Sequence, residues 1–203
     1  MPALALKLLP DVITEFIADH PGISVSLRTR SSQAVLRHLS SQQFDLGFAA
    51  LDNDHPAVER RALFTAPMMG VLPLGHELEQ RTLLKPEDFD QRPFIALGAE
   101  IGTRSETDAF LSAGDAGPRI VAEAQLSASI CEMVAAGAGI SIVEPVTATY
   151  FANLGRIVAR PLSPAQPFRY DLLLPTTRQP SRASEQFLKL VEARFVALFG
   201  AQD

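Results

Sequence analysis

The stretch ISVSLRTRSSQAVLRHLSSQQFDLGFAA, from Ile23 to Ala50, limits the possible folds more than any other part of the chain. Val25 and Leu27 alternate with polar neighbours, which predicts a strand covered on one face. Val35, Leu36 and Leu39 then recur at helical spacing behind Ser31 or Ser32, either of which can accept a hydrogen bond from the first helix N–H groups. FDLGFAAL predicts a second, more buried strand, so the unit is β-α-β and its sheet is expected to be parallel. The Ser31-Ser32-Gln33 turn then lies at the carboxyl end of a strand and the amino end of a helix. Backbone N–H groups and hydroxyls there can hold a carboxylate or another anion. The other reading is an ordinary N-cap that binds nothing, since serine is among the commonest caps.

The composition sets outer limits. With 203 residues and 47% hydrophobic content, the chain has ample material for one large α/β domain or two small ones. A formal net charge of −5 argues against a nucleic-acid surface, which would favour a basic face. The single cysteine, Cys131, excludes an internal disulfide and fits a reducing compartment. The amino terminus lacks the pattern of a secretory signal, since Pro2, Lys7 and Pro10 break its apolar run. No run reaches the length of a membrane span. These features predict a soluble, cytoplasmic chain with no membrane partner.

Residues 4 to 20 predict one helix with Leu8, Leu9, Val12, Ile13, Phe16 and Ile17 on one stripe, stopped by Pro21-Gly22. After the β-α-β unit comes a turn-rich, charged passage from Leu51 to Glu59. RRALFTAPMMGVLPLGHEL, broken by Pro67 and Pro73, predicts a strand passing between two lobes, with hinge candidates near Val71 and Leu72. In the second lobe, LLKPEDFDQRPFIALG predicts a short helix and a strand from Phe94 to Leu97. Thr103 and Glu106 then satisfy a capping box at the start of a helix that stops at Gly114. RIVAEAQLSASICEMVAAGAGISIVEP repeats the strand, turn, helix and strand order, with a glycine stop at Gly137. A short helix from Glu144-Pro145 to near Phe151 follows, and RIVARPLSP forms a second, extended crossing. FRYDLLLP predicts a last strand. The closing helix buries Phe187, Leu188, Val191, Phe195 and Leu198. The expected fold class is α/β, with two Rossmann-like lobes joined by two crossover segments: 1–71 with 166–203, and 72–165. A ligand cleft between the lobes follows from that architecture.

Across nearly all 203 residues, the chain resembles the effector-binding domain of LysR-type transcriptional regulators, which has the type 2 periplasmic-binding-protein fold. The segments carrying the resemblance are LLPDVITEFIADHPGISVSL, QQFDLGFAAL, LPLGHEL and MVAAGAGISIVEP, in that order and spacing. FIALGAEIGTRSETDAFL resembles the cysteine-regulon regulators, while MPALALKLLP and GAGISIVEP are similar to the opine-responsive ones.

The resemblance implies a set of ligand-binding residues. Ser31, Ser32 and Gln33 match the first-lobe turn that grips an effector's acidic group. Thr103, with Arg104, matches the second-lobe helix start, and Ser127 begins a neighbouring helix. Glu144 matches an acid that could pair with an effector's amino or guanidino group; its other reading is a helix cap before Pro145. The implied ligand is an amino acid, an opine or another small carboxylate, sensed by a homo-oligomer, dimer or tetramer, that controls DNA binding and transcription. The family's winged helix-turn-helix and linker helix are absent from this sequence, so DNA would be bound only through that missing N-terminal domain. The family also places a strand just before the segment matching Met1-Pro2-Ala3. Its absence should leave sheet edges open unless another segment or chain fills the gap.

The other chemistry-bearing residues carry no signature. Cys131 lies between apolar neighbours with no Cys-His-Asp set around it. His20, His38, His55 and His76 lack metal-ligand spacing, so no metal or cofactor is expected. A stand-alone solute-binding protein is the alternative, disfavoured by the missing signal sequence. An enzyme on the same fold is a further one. It would need a placed acid, base or cofactor lysine, and none of Lys7, Lys85 and Lys189 falls in a predicted cleft turn. The expectation is therefore a sensor, not an enzyme.

Overall fold

The computed structural model describes residues 1–50, 55–99 and 101–200. Part of the charged passage expected from Leu51, residues 51–54, lies outside the described residues. In chain order the elements are α1 (Pro2–Leu6), α2 (Leu8–Asp19), α3 (Ser32–Ser40), β1 (Gly47–Ala49), β2 (Val58–Pro67) and β3 (Met69–Leu72). They continue with β4 (Pro93–Leu97), α4 (Gly102–Ser112), β5 (Arg119–Ala124), α5 (Ser127–Ala135), β6 (Ser141–Val143) and α6 (Pro145–Asn153). The last are β7 (Val158–Pro161), β8 (Pro167–Pro175) and α7 (Arg182–Phe199). The chain forms two compact units, Met1–Ala66 with Arg169–Asp203, and Pro67–Phe168.

In the first unit the expected opening helix is two helices, because the backbone turns out of helical geometry at Lys7 (φ −143°, ψ −51°). Leu8, Leu9, Val12 and Phe16 are buried on α2, while Ile17 is 42% exposed. Phe16 meets Phe187 edge-on at 5.4 Å, joining α2 to α7. Ser181 caps α7 by accepting the Ser184 N–H at 3.1 Å. Phe187, Leu188, Val191 and Phe195 are buried as the stripe predicts. Leu198 is not, at 38% exposure; four residues on from Phe195, it is Phe199 that reaches Phe64, at 5.8 Å.

The sheet of this unit runs β1-β8-β2. Alternation along β8 faces Tyr170 to α7, where it lies 5.0 Å from Phe195. Leu173 turns to the other side and packs with Val35, Leu36 and Leu39 of α3. The expected parallel β-α-β unit is not formed. Residues 23–30 take no strand and are all exposed, and β1 instead pairs antiparallel with β8, Gly47 opposite Leu173 and Ala49 opposite Asp171. The cause is backbone pairing. Alternation specifies which face a strand would bury, but a strand exists only where a neighbour completes its ladder.

In the second unit β3 is the centre of an antiparallel sheet, β6-β3-β7. Val71 and Leu72, the expected hinge positions, are fully buried inside β3, where core packing leaves no room for a hinge's backbone change. β4 and β5 pair parallel, and a parallel bridge from Phe94 to Ile140 joins β4 to the approach to β6. Ile95, Leu97, Ile130, Val134, Val143 and Phe151 form the core around Cys131. The short helix expected before β4 is two 3₁₀ turns, Glu77–Gln80 and Pro86–Phe89. No described helix is long and apolar enough to cross a membrane.

Candidate functional site

In the first unit, Ser31 is the N-cap of α3, and its Oγ accepts the Ala34 N–H at 3.4 Å. The first helical backbone bond runs from Val35 N–H to the Ser31 carbonyl at 2.9 Å. The N–H groups of Ser32 and Gln33 therefore precede the intrahelical ladder and face outward from the positive end of the helix dipole. Both readings of this turn meet in one geometry: Ser31 is an ordinary cap, and the two amides behind it can receive an anion.

In the second unit, β4 and β5 are parallel, and β6 continues from a parallel bridge to β4. The helices that follow each strand, α4, α5 and α6, therefore start at one edge of this unit, the carboxyl edge, where open α/β sheets bind ligands. That edge gathers Thr103, Ser127 and Glu144.

Ser127 begins a helix as expected, and the details differ from expectation at Thr103 and Arg104. The capping box does not form: α4 starts at Gly102 with Ile101 as its N-cap and no side-chain cap. A turn closed by Ile101 N–H to the Gly98 carbonyl at 3.0 Å begins the helix early and leaves Thr103 as its second residue. Ser127 is the first residue of α5, behind Leu126, and it caps nothing. Arg104 has its Nε and Nη1 donors engaged within the protein. Its guanidinium reaches the Leu97 carbonyl at 2.7 Å, Glu123 at 2.9 Å and Asp108 at 2.9 Å, and its pKa is raised by Glu123 and then Asp108. This ties the start of α4 to the ends of β4 and β5.

Glu144 is 5% exposed and is the N-cap of α6, accepting the Thr147 N–H at 3.1 Å on each carboxylate oxygen. Pro145 occupies the first helical position, where the missing N–H costs nothing. The cap reading is realised in the structure. Cys131 is wholly buried, and burial, then Glu144 and Glu132, pushes its thiol up to about 12. It is a core residue and not a nucleophile.

Sequence reading missed one residue, Asp171 of β8. It is 1% exposed, with Arg169 Nε 2.8 Å from Oδ1 and Arg60 Nη1 3.9 Å from Oδ2. The alternation of FRYDLLLP carried the signal, because Asp171 shares a face with Leu173.

Taken together, the element order and the helix starts on strand ends define an α/β ligand-binding domain of the type 2 periplasmic-binding-protein class. Residues 1–196 match the LysR substrate binding domain, and the chain belongs to that family. It is 33% identical over 185 residues to the regulatory protein NocR of Agrobacterium tumefaciens strain T37, covering 91% of this chain and 61% of that protein. It is 31% identical over 203 residues to the transcriptional activator LysR of Escherichia coli K12, covering all of this chain and 65% of that protein. The chain thus spans less than two thirds of the length of the curated relatives it matches. Among solved structures, the BenM effector-binding domain with its effector benzoate superposes with a TM-score of 0.78 at 19% identity, covering 98% of this chain and 91% of that one. At that identity the likeness shows the fold.

Proposed function

We propose that this chain is the effector-sensing domain of a LysR-type transcriptional regulator, and that its ligand is a small carboxylate or amino-acid-like compound. The observation that carries this reading is the start of α3, where the Ser32 and Gln33 amides stand ahead of the helical ladder behind the Ser31 cap. This is the chemistry that receives a carboxylate. NocR and LysR are regulators by name, and the ligand in the BenM structure is a carboxylate. In the first unit the proposed ligand contacts are Ser31, Ser32 and Gln33; in the second, taken by itself, the proposed polar positions are Thr103, Ser127 and Glu144 on the carboxyl edge, with Arg104 orienting the start of α4. The regulator works as a homo-oligomer, DNA is bound outside this chain, and no chemistry is performed on the ligand.

The experiment is a thermal-shift series with amino acids, opines and small carboxylates. A ligand at ~100 times its Kd stabilises the domain by ~2.7 kcal/mol, about 5–10 °C in Tm for a chain of this size. The shift should disappear in Ser32→Pro/Thr103→Ala, where proline at the first position of α3 removes the amide without breaking the helix, while the unliganded Tm stays near wild type. A double variant that keeps its ligand shift would remove these residues from the site.

A further inference from the structure

Alternation along β8 puts Arg169, Asp171 and Leu173 on the side that faces α3, and Tyr170 on the side that faces α7. The strand register fixes their height along α3. Leu173 stands opposite Gly47 in β1, and a Cβ at Gly47 would meet Val35 and Leu39 of α3. Only residues 41–46 join the end of α3 to β1, so β1 runs back along the helix toward its first turn. Asp171, opposite Ala49, is two residues further on in that direction. Two strand residues span roughly 7 Å, which is about five residues of helix. Counted from the middle of Val35–Leu39, that is the level of Ser32. Asp171 is thus set at the same edge of the first unit as the Ser32 and Gln33 amides.

The Asp171 carboxylate is itself enclosed. It is 1% exposed and is bracketed by two arginines, Arg169 at 2.8 Å and Arg60 of β2 at 3.9 Å. The members of the cluster that reach solvent are the arginines, whose side chains are 47% and 25% exposed. A guanidinium carries five N–H donors in a planar fork, so one ion pair fixes its direction and the same group can receive a second acid. Charge points the same way. The chain as a whole has a formal net charge of −5. This edge nevertheless sets two arginines and the positive end of α3 against one buried carboxylate, and Arg30 precedes the Ser31 cap. Such a field concentrates doubly charged anions over singly charged ones. The α3 amides hold one acidic group. We propose that Arg60 and Arg169, held by Asp171, receive a second acidic group of the effector. The ligand class is then a small molecule with two acids, the second a carboxylate or a phosphate, and not a monocarboxylate. This rests on the effector-sensing reading and narrows its ligand.

The test is isothermal titration of the 203-residue chain with diacids, each beside its half-amide, which keeps the size and removes one charge. The probes are succinate and succinamate, glutarate and glutaramate, and N-carboxymethyl amino acids and their monoamides. A matching series with a phosphonate in place of one carboxylate tells which acid the arginines prefer. The best diacid should bind at least about tenfold tighter than its half-amide. Arg60→Gln and Arg169→Gln should each remove most of that advantage and leave the half-amide's affinity unchanged, which also reports an intact fold. Arg178→Gln, at an exposed arginine of the same unit, should keep the advantage. Diacids that bind no tighter than their half-amides overturn the proposal and leave the effector-sensing reading standing. A full diacid preference in both the Arg60 and Arg169 variants overturns it too, since the second acid is then held elsewhere. If no acid of either series binds, the α3 anion site and the effector-sensing reading fall, and the proposal falls with them.

Discussion

Asp171 accepts a hydrogen-bonded ion pair from Arg169 at 2.8 Å on Oδ1, while its Oδ2, 3.9 Å from Arg60, makes no hydrogen bond among the described residues. The carboxylate is 1% exposed and Arg169 is half-exposed. Removing the arginine leaves a buried charge with a weaker partner, which is costlier than losing an exposed pair. Arg169→Ala should therefore destabilise the domain by about 1–3 kcal/mol. Arg178→Ala, which loses an exposed partner in Asp45, should stay within about 0.5 kcal/mol. Urea denaturation midpoints decide between them, and equal losses would mean that burial of Asp171 does not set the cost.

Gly139 illustrates a different constraint. A Cβ built there would fall 2.5 Å from the Pro93 carbonyl oxygen, which accepts the Ile140 N–H at 2.9 Å. The clash is with backbone and cannot be relieved by rotating a side chain. Gly139→Ala should cost about 1–3 kcal/mol, and Gly22→Ala, with nothing within 4 Å of the added atom, should cost little. Similar Tm values for the two variants would contradict the close-approach explanation.

These residues show what the sequence made legible. Helix periodicity marked α2, α5 and α7, and the glycine stop after α5 is realised at Gly137 (φ +82°), whose N–H bonds the Val134 carbonyl at 2.9 Å. Such signals are local, and so they survive in one sequence. Strand pairing is not local. Nothing in ISVSLRTR records whether a neighbour stands beside it, so its alternation predicts a strand that the structure lacks. The site divides in the same way. Ser31 and the Glu144-Pro145 cap were readable from residue type and spacing. The occupied state of Arg104 depends on Glu123, 19 residues away, and the burial of Asp171 depends on which face of β8 meets α3.

Cys131 gives a test of core integrity. Its thiol, pushed up to about 12 by burial, stays protonated through pH 9, and its side chain is wholly enclosed. Thiolate reagents should leave the folded domain unmodified over hours at pH 8 and label it fully in urea. Stoichiometric labelling of the folded protein at a rate near that of a small thiol would show that the second unit opens readily.

The Met1 ammonium makes stability depend on pH in a defined direction. Burial lowers its pKa from 8.0 to about 6, because the charged form loses water near Phe48. Between pH 6 and 8 the unfolded chain therefore binds a proton that the folded chain does not, and stability rises with pH across that window. This term is fully present above pH 8 and is lost as pH falls to about 6. Its size is at most about 2–3 kcal/mol for a two-unit shift, and partial exposure reduces it. Acetylating the Met1 nitrogen removes the titration while keeping an N–H for the Phe48 carbonyl. The difference in unfolding free energy between pH 8.5 and pH 6 should thus be smaller in the acetylated chain, by about 1 kcal/mol or more. The same pH slope in both forms would show that the amino group is not desolvated against β1.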